Sequence, residues 1–187
     1  MNEPTYFNNQ FIIAMPTLAD PTFSHTVTFL CQHNKDGALG IVINRPVGMK
    51  LGEIFSQMNI PVSSTSAADA PVFAGGPVQQ ERGFVLHTPG GDWSATMAIS
   101  DAISLTTSRD VLEAIAIDEG PKHYLVALGY AGWGQGQLER EMMDNAWLTS
   151  PFGQRVIFDT PINQRWSAAA EQIGIDISKL TAMAGHG

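Results

Sequence analysis

The one cysteine of the chain, Cys31, stands two positions before His33, in an apolar stretch that breaks at Asn34-Lys-Asp-Gly37 and resumes at Ala38-Leu-Gly-Ile-Val-Ile-Asn44. A thiol acts as a nucleophile only as thiolate, which needs a base or a cation beside it, and a histidine two residues along a strand is placed to serve. Asp36-Gly37 supplies a hairpin turn, because glycine accepts the positive φ that tight loops require. With 34–37 as the loop, His33 faces Ala38, Cys31 faces Gly40, Phe29 faces Val42 and Val27 faces Asn44. The thiol then lies opposite a residue without a side chain, either packed against backbone or left open to a ligand. Alternation groups it with Val27 and Phe29 on an apolar face, and free cysteine is among the most often buried residues, so the packed reading is preferred.

Other polar groups gather at the expected ends of elements. Thr106-Thr-Ser-Arg109-Asp110 puts three hydroxyls and a guanidinium at a helix start, a fair site for a carboxylate or phosphate, although capping explains most of it. Arg82 follows the Gly75-Gly-Pro77 turn, while His33 and His87 each end a strand. Cys31, His33, Asn34, Arg82, His87, Thr106, Thr107 and Ser108 therefore form the candidate ligand-binding set, a cleft gathered from strand ends and one helix N-terminus. No catalytic residue is named: G-x-S-x-G, H-E-x-x-H and an ordered Ser–His–Asp set are all missing. No metal or cofactor is expected, since Cys31-x-His33 offers two ligands, with only His87 and Asp92 as conceivable additions. Gly129-Tyr-Ala-Gly-Trp-Gly-Gln-Gly136 lacks both phosphate-loop spacings and is followed by Glu139 and Glu141, which repel phosphate. It reads as a strand-to-helix connection that clears space for Trp133, with Gly134 expected to need positive φ. Gln137, Glu139 and Glu141 read as a solvated face.

The elements that must hold these groups follow from periodicity. Strands are expected at 11–15, in the hairpin, and at 72–74, 83–87, 96–99, 103–106, 124–128 and 156–158. Leu51, Ile54, Phe55 and Met58 recur at helical spacing, Pro61 to Pro71 is a loop, and Thr107-x-x-Asp110 caps a helix carrying Val111, Leu112 and Ile115 inward. A further helix spans about 137–143. Thr160-Pro161 opens the clearest one, with Ile162, Trp166, Ala169, Ala170 and Ile173 inward and Gly174 past its end; Trp166 is its core anchor. Some eight strands and four helices, with strands often adjacent, favour a mixed α+β domain over a doubly wound α/β sheet.

Composition bounds the rest. At 187 residues, 44% hydrophobic and 15% charged, the chain has the size and make-up of one globular domain. Its net charge of −8 repels phosphate backbones and anionic membrane surfaces, so direct nucleic-acid binding is disfavoured. A single cysteine fits a reducing compartment, the first residues lack the basic and apolar regions of a signal peptide, and no apolar run reaches a membrane span. A cytoplasmic location is expected.

Taken together, Ala14-Met-Pro-Thr-Leu-Ala-Asp-Pro-Thr-Phe23, Cys31-Gln-His-Asn34, Gly37-Ala-Leu-Gly40, Asn44-Arg-Pro46 and Gly75-Gly-Pro-Val78 resemble the bacterial YqgE/AlgH family. So do Arg82-Gly-Phe-Val-Leu-His87, Leu105-Thr-Thr-Ser-Arg-Asp110, Leu128-Gly-Tyr-Ala-Gly-Trp133, Gly136-Gln-Leu-Glu139, Asn145-Ala-Trp-Leu148 and Ala184-Gly-His186. The match runs from about residue 11 to the end, with departures confined to loops at 47–50 and 63–70. The resemblance implies an α+β fold, a single domain over 1–187 (1–10 loosely ordered) with a bifurcated, barrel-like mixed β-sheet flanked by about four helices. One branch of the family is named for a link to transcriptional control of alginate production, and the family supplies no established catalytic residue to carry over. The expectation is a regulatory or ligand-binding protein acting through a small molecule or protein partner and touching transcription indirectly, with an oligomer compatible. The alternative is a cysteine-dependent enzyme or thiol redox sensor using Cys31.

Overall fold

The computed structural model describes residues 5–184, with side chains as far as Leu180; residues 1–4 of the segment expected to be loosely ordered, and 185–187, which include 185 and 186 of the terminal Ala184-Gly-His186 motif, lie outside the described residues. Ten strands form one curled sheet: β1 (Gln10–Ala14), β2 (Val27–Asn34), β3 (Gly37–Val42), β4 (Pro46–Lys50), β5 (Pro71–Ala74), β6 (Val78–His87), β7 (Thr96–Ala98), β8 (Ser104–Thr106), β9 (Tyr124–Trp133) and β10 (Trp147–Pro151). Among the described residues there are seven helices: α1 (Leu51–Gln57), α2 (Thr65–Asp69), α3 (Arg109–Ala116), α4 (Gln137–Met143), α5 (Gln154–Phe158), α6 (Arg165–Glu171) and α7 (Ile177–Ala184). The fold is the expected mixed α+β domain. Among the described residues it has the four anticipated helices and three additional ones, α2, α5 and α7.

The sheet runs β10-β1-β2-β3-β9-β6-β8-β7 and forks at β9. One edge of β9 pairs with β6. The other pairs first with β5, in parallel from Val72↔Val126 to Ala74↔Leu128, and then with β3, antiparallel from Gly40↔Ala131 to Ala38↔Trp133. Gly129 sits at the fork with φ +77°, and a Cβ there would lie 2.5 Å from Gly76 O and 2.9 Å from Val78 O. The glycine-rich passage is therefore mostly strand, and its glycines permit close backbone crossings. Gly134, expected at positive φ, is not among the positive-φ glycines; Gly129 and Gly136 are.

The hairpin register holds at the turn, His33↔Ala38, and then slips. A bulge between Leu30 and Gln32 makes Gly40 the partner of Leu30, leaving Cys31 unpaired, and Thr28 rather than Phe29 pairs with Val42. An extra residue in one strand resets which face each later side chain points to. Cys31 stays in the cluster of Val27 and Phe29, while His33 shares the other face with Leu30, so the two do not form a pair.

Three apolar clusters clothe the sheet. Phe11, Phe29, Ile41, Leu86 and Leu125 meet Val156, Ile157, Ala169 and Ala170 beneath α5 and α6; α1 and α3 cover Val72, Val85 and Val126 on the opposite face; and α4 inserts Leu138 between Trp133 and Trp147. Val156-Ile-Phe158, expected as a strand, is helical, and it buries Val156 and Ile157 against the sheet. Local β propensity yields there to packing. The helix expected from Thr160 begins instead with a 3-10 turn at Ile162–Gln164, and Thr160 donates its hydroxyl to Arg155 O at 2.8 Å rather than capping. Trp166 is half-buried, with its indole N–H on Ala14 O at 2.9 Å, while Ile173 is exposed.

Candidate functional site

Two open grooves of about 460 and 530 Å³ flank β3, β6 and β9, and a more enclosed concavity lies where α1 and α3 lean over β6, β8 and β9. It is a half-enclosed pocket of about 370 Å³, in the size class that takes small organic ligands. Its floor is Ile54, Met58, Val85, Leu112, Val126 and Leu128, and its mouth carries Gln57, Glu81, Arg82, Thr107, Ser108 and Arg109.

Arg82 reaches this mouth because β6 leaves its ladder. Val78 pairs with Tyr130 and Gly83 with Leu128, so 79–82 form an excursion opposite Gly129, started by Gln79 at φ +49°. Arg82 and Thr107 stand on the rim this pocket shares with an open groove of about 460 Å³, and the Arg82 guanidinium packs at 5.6 Å on the ring of Phe84, which lines that groove. The guanidinium donates to Thr107 Oγ1 at 3.3 Å and to Gln79 Oε1 at 3.4 Å, both long bonds to neutral acceptors. Among the described residues it has no carboxylate partner. Arg109, across the mouth, stands 3.8 Å from Glu113 one turn along its own helix, an exposed and weak pair.

The start of α3 is not a vacant anion site. Ser108, not Thr107, is the N-cap, and its hydroxyl donates to Asp110 Oδ1 at 2.5 Å while accepting the Ala95 N–H. Asp110 Oδ1 also accepts the Val111 N–H, and Oδ2 accepts both donors of Ser94. The Ser108 hydroxyl, then the Ser94 groups and the Val111 N–H, hold the Asp110 carboxyl below the usual carboxylate range. The protein's own carboxylate thus meets the positive end of the helix dipole.

His87 is buried beneath this wall. Its Nδ1–H donates to Thr88 O at 2.8 Å, because a carbonyl can only accept, so Nε2 accepts the Thr106 hydroxyl at 2.6 Å. Thr106 in turn meets Thr96 Oγ1 at 2.8 Å. Burial lowers the His87 pKa and so favours the neutral ring, whose tautomer the Thr88 carbonyl sets.

The remaining candidates lie elsewhere. The Cys31 thiol is 5% exposed and packed in the apolar cluster, donates weakly to Phe29 O at 3.8 Å, and burial pushes its pKa strongly upward. His33 Nδ1 accepts the Phe7 N–H at 2.9 Å, so its Nε2–H donates to Glu139 at 2.8 Å. With Tyr6 and Phe7 against its ring, His33 pins the chain that leads into β1. Asn34 lines a separate open groove with Gly37, Tyr130 and Gly132, and its Oδ1 closes the turn by accepting the Asp36 N–H. Of the eight candidates, Arg82, Thr106, Thr107 and Ser108 share the α1–α3 pocket, and His87 is bonded to it through Thr106. Glu139 and Glu141, expected on a solvated face, are structural acceptors: Glu141 Oε1 takes the indole N–H groups of Trp133 and Trp147 at 3.1 and 2.9 Å.

Glu81 and Gly83 line the pocket without a sequence signal, because the excursion that brings them there is set by the register between β6 and β9; Arg109 belonged to the helix-start group read from the sequence but not to the candidate set. Ile54, Met58 and Leu112 carried only the helical spacing of core residues. Among the described residues no cluster of three or more His, Cys, Asp or Glu side chains could hold a metal ion, and no helix is long and apolar enough to cross a membrane.

Comparison with known proteins places this architecture. The chain is 56% identical to a UPF0301 protein of Methylococcus capsulatus, over 100% of this chain and 99% of that one, and 55% identical to a UPF0301 protein of Thioalkalivibrio sulfidiphilus, over the whole of both. The solution structure of the AlgH protein from Pseudomonas aeruginosa superposes with a TM-score of 0.80 at 47% identity, covering 100% and 99% of the two chains. A Corynebacterium diphtheriae protein shares the fold at 14% identity, with a TM-score of 0.74 over 97% and 94% of the chains. The profile of the AlgH-like family matches residues 11–178, and with these relatives it shows that the chain belongs to the AlgH-like family.

Proposed function

We propose that this protein is a cytoplasmic ligand-binding regulator that takes a small molecule in the α1–α3 pocket and acts through a protein partner rather than by touching DNA. The observation that carries this reading is the pocket itself: an apolar floor under a mouth whose Arg82 guanidinium has no carboxylate partner among the described residues. Net charge of −8 supports indirect action, since a basic footprint is what duplex binding needs. The regulatory part of the reading rests on the family resemblance alone. A thiol enzyme or redox sensor needs an accessible thiolate, and the burial of Cys31 weighs against it.

The test is a thermal-shift screen of small metabolites against the wild-type chain and Gly83→Leu. Gly83 lines the pocket, and an added Cβ meets nothing within 4 Å, so the leucine fills the pocket from an unstrained strand position. Ligands that raise the wild-type melting temperature and leave Gly83→Leu unmoved support the reading. Equal shifts in both chains, or tight sequence-selective DNA binding by the pure protein at low salt, overturn it.

A further inference from the structure

We infer that the α1–α3 pocket recognises an amphipathic monocarboxylate, its apolar body on the α1–α3 floor and its carboxylate on Arg82. This rests on the reading of the pocket as a ligand site. The floor presents apolar side chains from two helices and two strands, Ile54 and Met58 at one side, Leu112 at the other, Val85 and Val126 beneath. Water there has few partners, so an apolar group displaces it favourably.

The mouth selects the sign of the ligand's polar end. Arg109 already has the Glu113 carboxylate at 3.8 Å, and the nearby Asp110 carboxylate is saturated by four donors, so Arg82 is the guanidinium of this mouth without a carboxylate partner among the described residues. Arg82 is held by a ring face and by two long bonds to neutral oxygens, which a carboxylate would outcompete with shorter, charge-assisted ones. The Thr107 hydroxyl, which now accepts from Arg82, can donate to the same oxyanion. The helix dipole is not the recognition element, because Asp110 already occupies it. A small polar anion such as phosphate would leave the apolar floor uncovered. An apolar alcohol would leave Arg82 on its weak partners. Only a ligand with both parts uses both.

Calorimetric titration of the full chain near pH 7.5 with octanoate, 1-octanol, acetate and inorganic phosphate tests this, using wild type, Arg82→Met and Gly83→Leu. Arg82→Met keeps the stem over Phe84 and removes the charge. The expected result is saturable octanoate binding to wild type, at least tenfold tighter than octanol or acetate. Arg82→Met then weakens octanoate at least fivefold with octanol unchanged, and Gly83→Leu abolishes both. Octanol binding as tight as octanoate, and lost in Gly83→Leu, overturns the carboxylate class while the pocket reading stands. Acetate or phosphate matching octanoate overturns the amphipathic class. Octanoate binding that survives Gly83→Leu places the ligand elsewhere and overturns both readings. No octanoate binding overturns the inference alone, because the metabolite screen still judges the pocket.

Discussion

Two glycines five residues apart in the same passage should differ sharply in their tolerance of a single methyl group. Gly129 lies at the fork of the sheet with φ +77°, and an added Cβ would meet Gly76 O at 2.5 Å, Val78 O at 2.9 Å and Gln80 Cα at 3.2 Å. All three atoms are backbone, so no side chain can swing away. The left-handed conformation costs an L-residue about 1–2 kcal/mol. Overpacking against fixed neighbours adds about 1–3 kcal/mol. Gly129→Ala should therefore lose about 2–5 kcal/mol, a large share of the roughly 5–15 kcal/mol that holds a domain together. For a chain of this length each kcal/mol moves the melting temperature about 2–4 °C, so the midpoint should fall by roughly 4–20 °C. Gly134 has no positive φ, and the nearest atom to its added Cβ is the flexible Gln137 Oε1 at 3.8 Å. Gly134→Ala should stay within about 0.5 kcal/mol of wild type, as surface changes do. Urea unfolding followed by far-ultraviolet circular dichroism measures both. An unchanged midpoint for Gly129→Ala, or an equal loss in Gly134→Ala, would refute the assignment of the glycine requirement to the fork.

Three further outcomes follow from individual side chains. Trp166→Ala should cost about 2–4 kcal/mol, below the roughly 3–5 of a fully buried tryptophan because the ring is half-buried, and Trp166→Phe about 1 kcal/mol for the lost bond to Ala14 O; chemical unfolding of both variants checks the order. Burial lowers the His87 pKa from 6.5, so the unfolded chain takes up this proton before the folded one: its contribution is full above pH 6.5 and is lost as pH falls through the folded value. Wild type should then lose more stability between about pH 7 and pH 5 than His87→Gln, and parallel curves would refute the assignment. Cys31 should react with a thiol reagent only at the rate of unfolding, and a native half-time close to that of a free thiol would contradict its burial.

The amphipathic spacing of Leu51, Ile54 and Phe55, the extent of α4 and the turn at Asp36-Gly37 were legible because each depends on neighbours three or four residues away. Arg82, Thr107 and Ser108 were identifiable as polar groups at element ends, and they do share a pocket. What escaped was every feature set by a distant partner. The Leu30–Gln32 bulge, which separates Cys31 from His33, depends on how β2 meets β1 and β3 at once. The strand identities of Pro46–Lys50 and Trp147–Pro151 depend on β5 and β1 as ladder partners. Glu141 looked solvated because nothing local announces two indoles converging on one oxygen.

By itself, then, the amino-acid sequence determined the class of fold, the acidic character that disfavours direct nucleic-acid contact, the family through its ordered motifs, and the local elements whose apolar period repeats within a turn or a strand. Tertiary structure alone decided that β9 divides its edge between β5 and β3 and that the excursion before Gly83 carries Arg82 to a pocket mouth. It also turned the helix start read as an anion site into one closed by Asp110. The physical reason is range. Propensity, capping and periodicity act over a few residues, whereas register, a bulge and the charge balance of a pocket arise only when segments far apart in the chain compete for the same hydrogen bonds and the same volume.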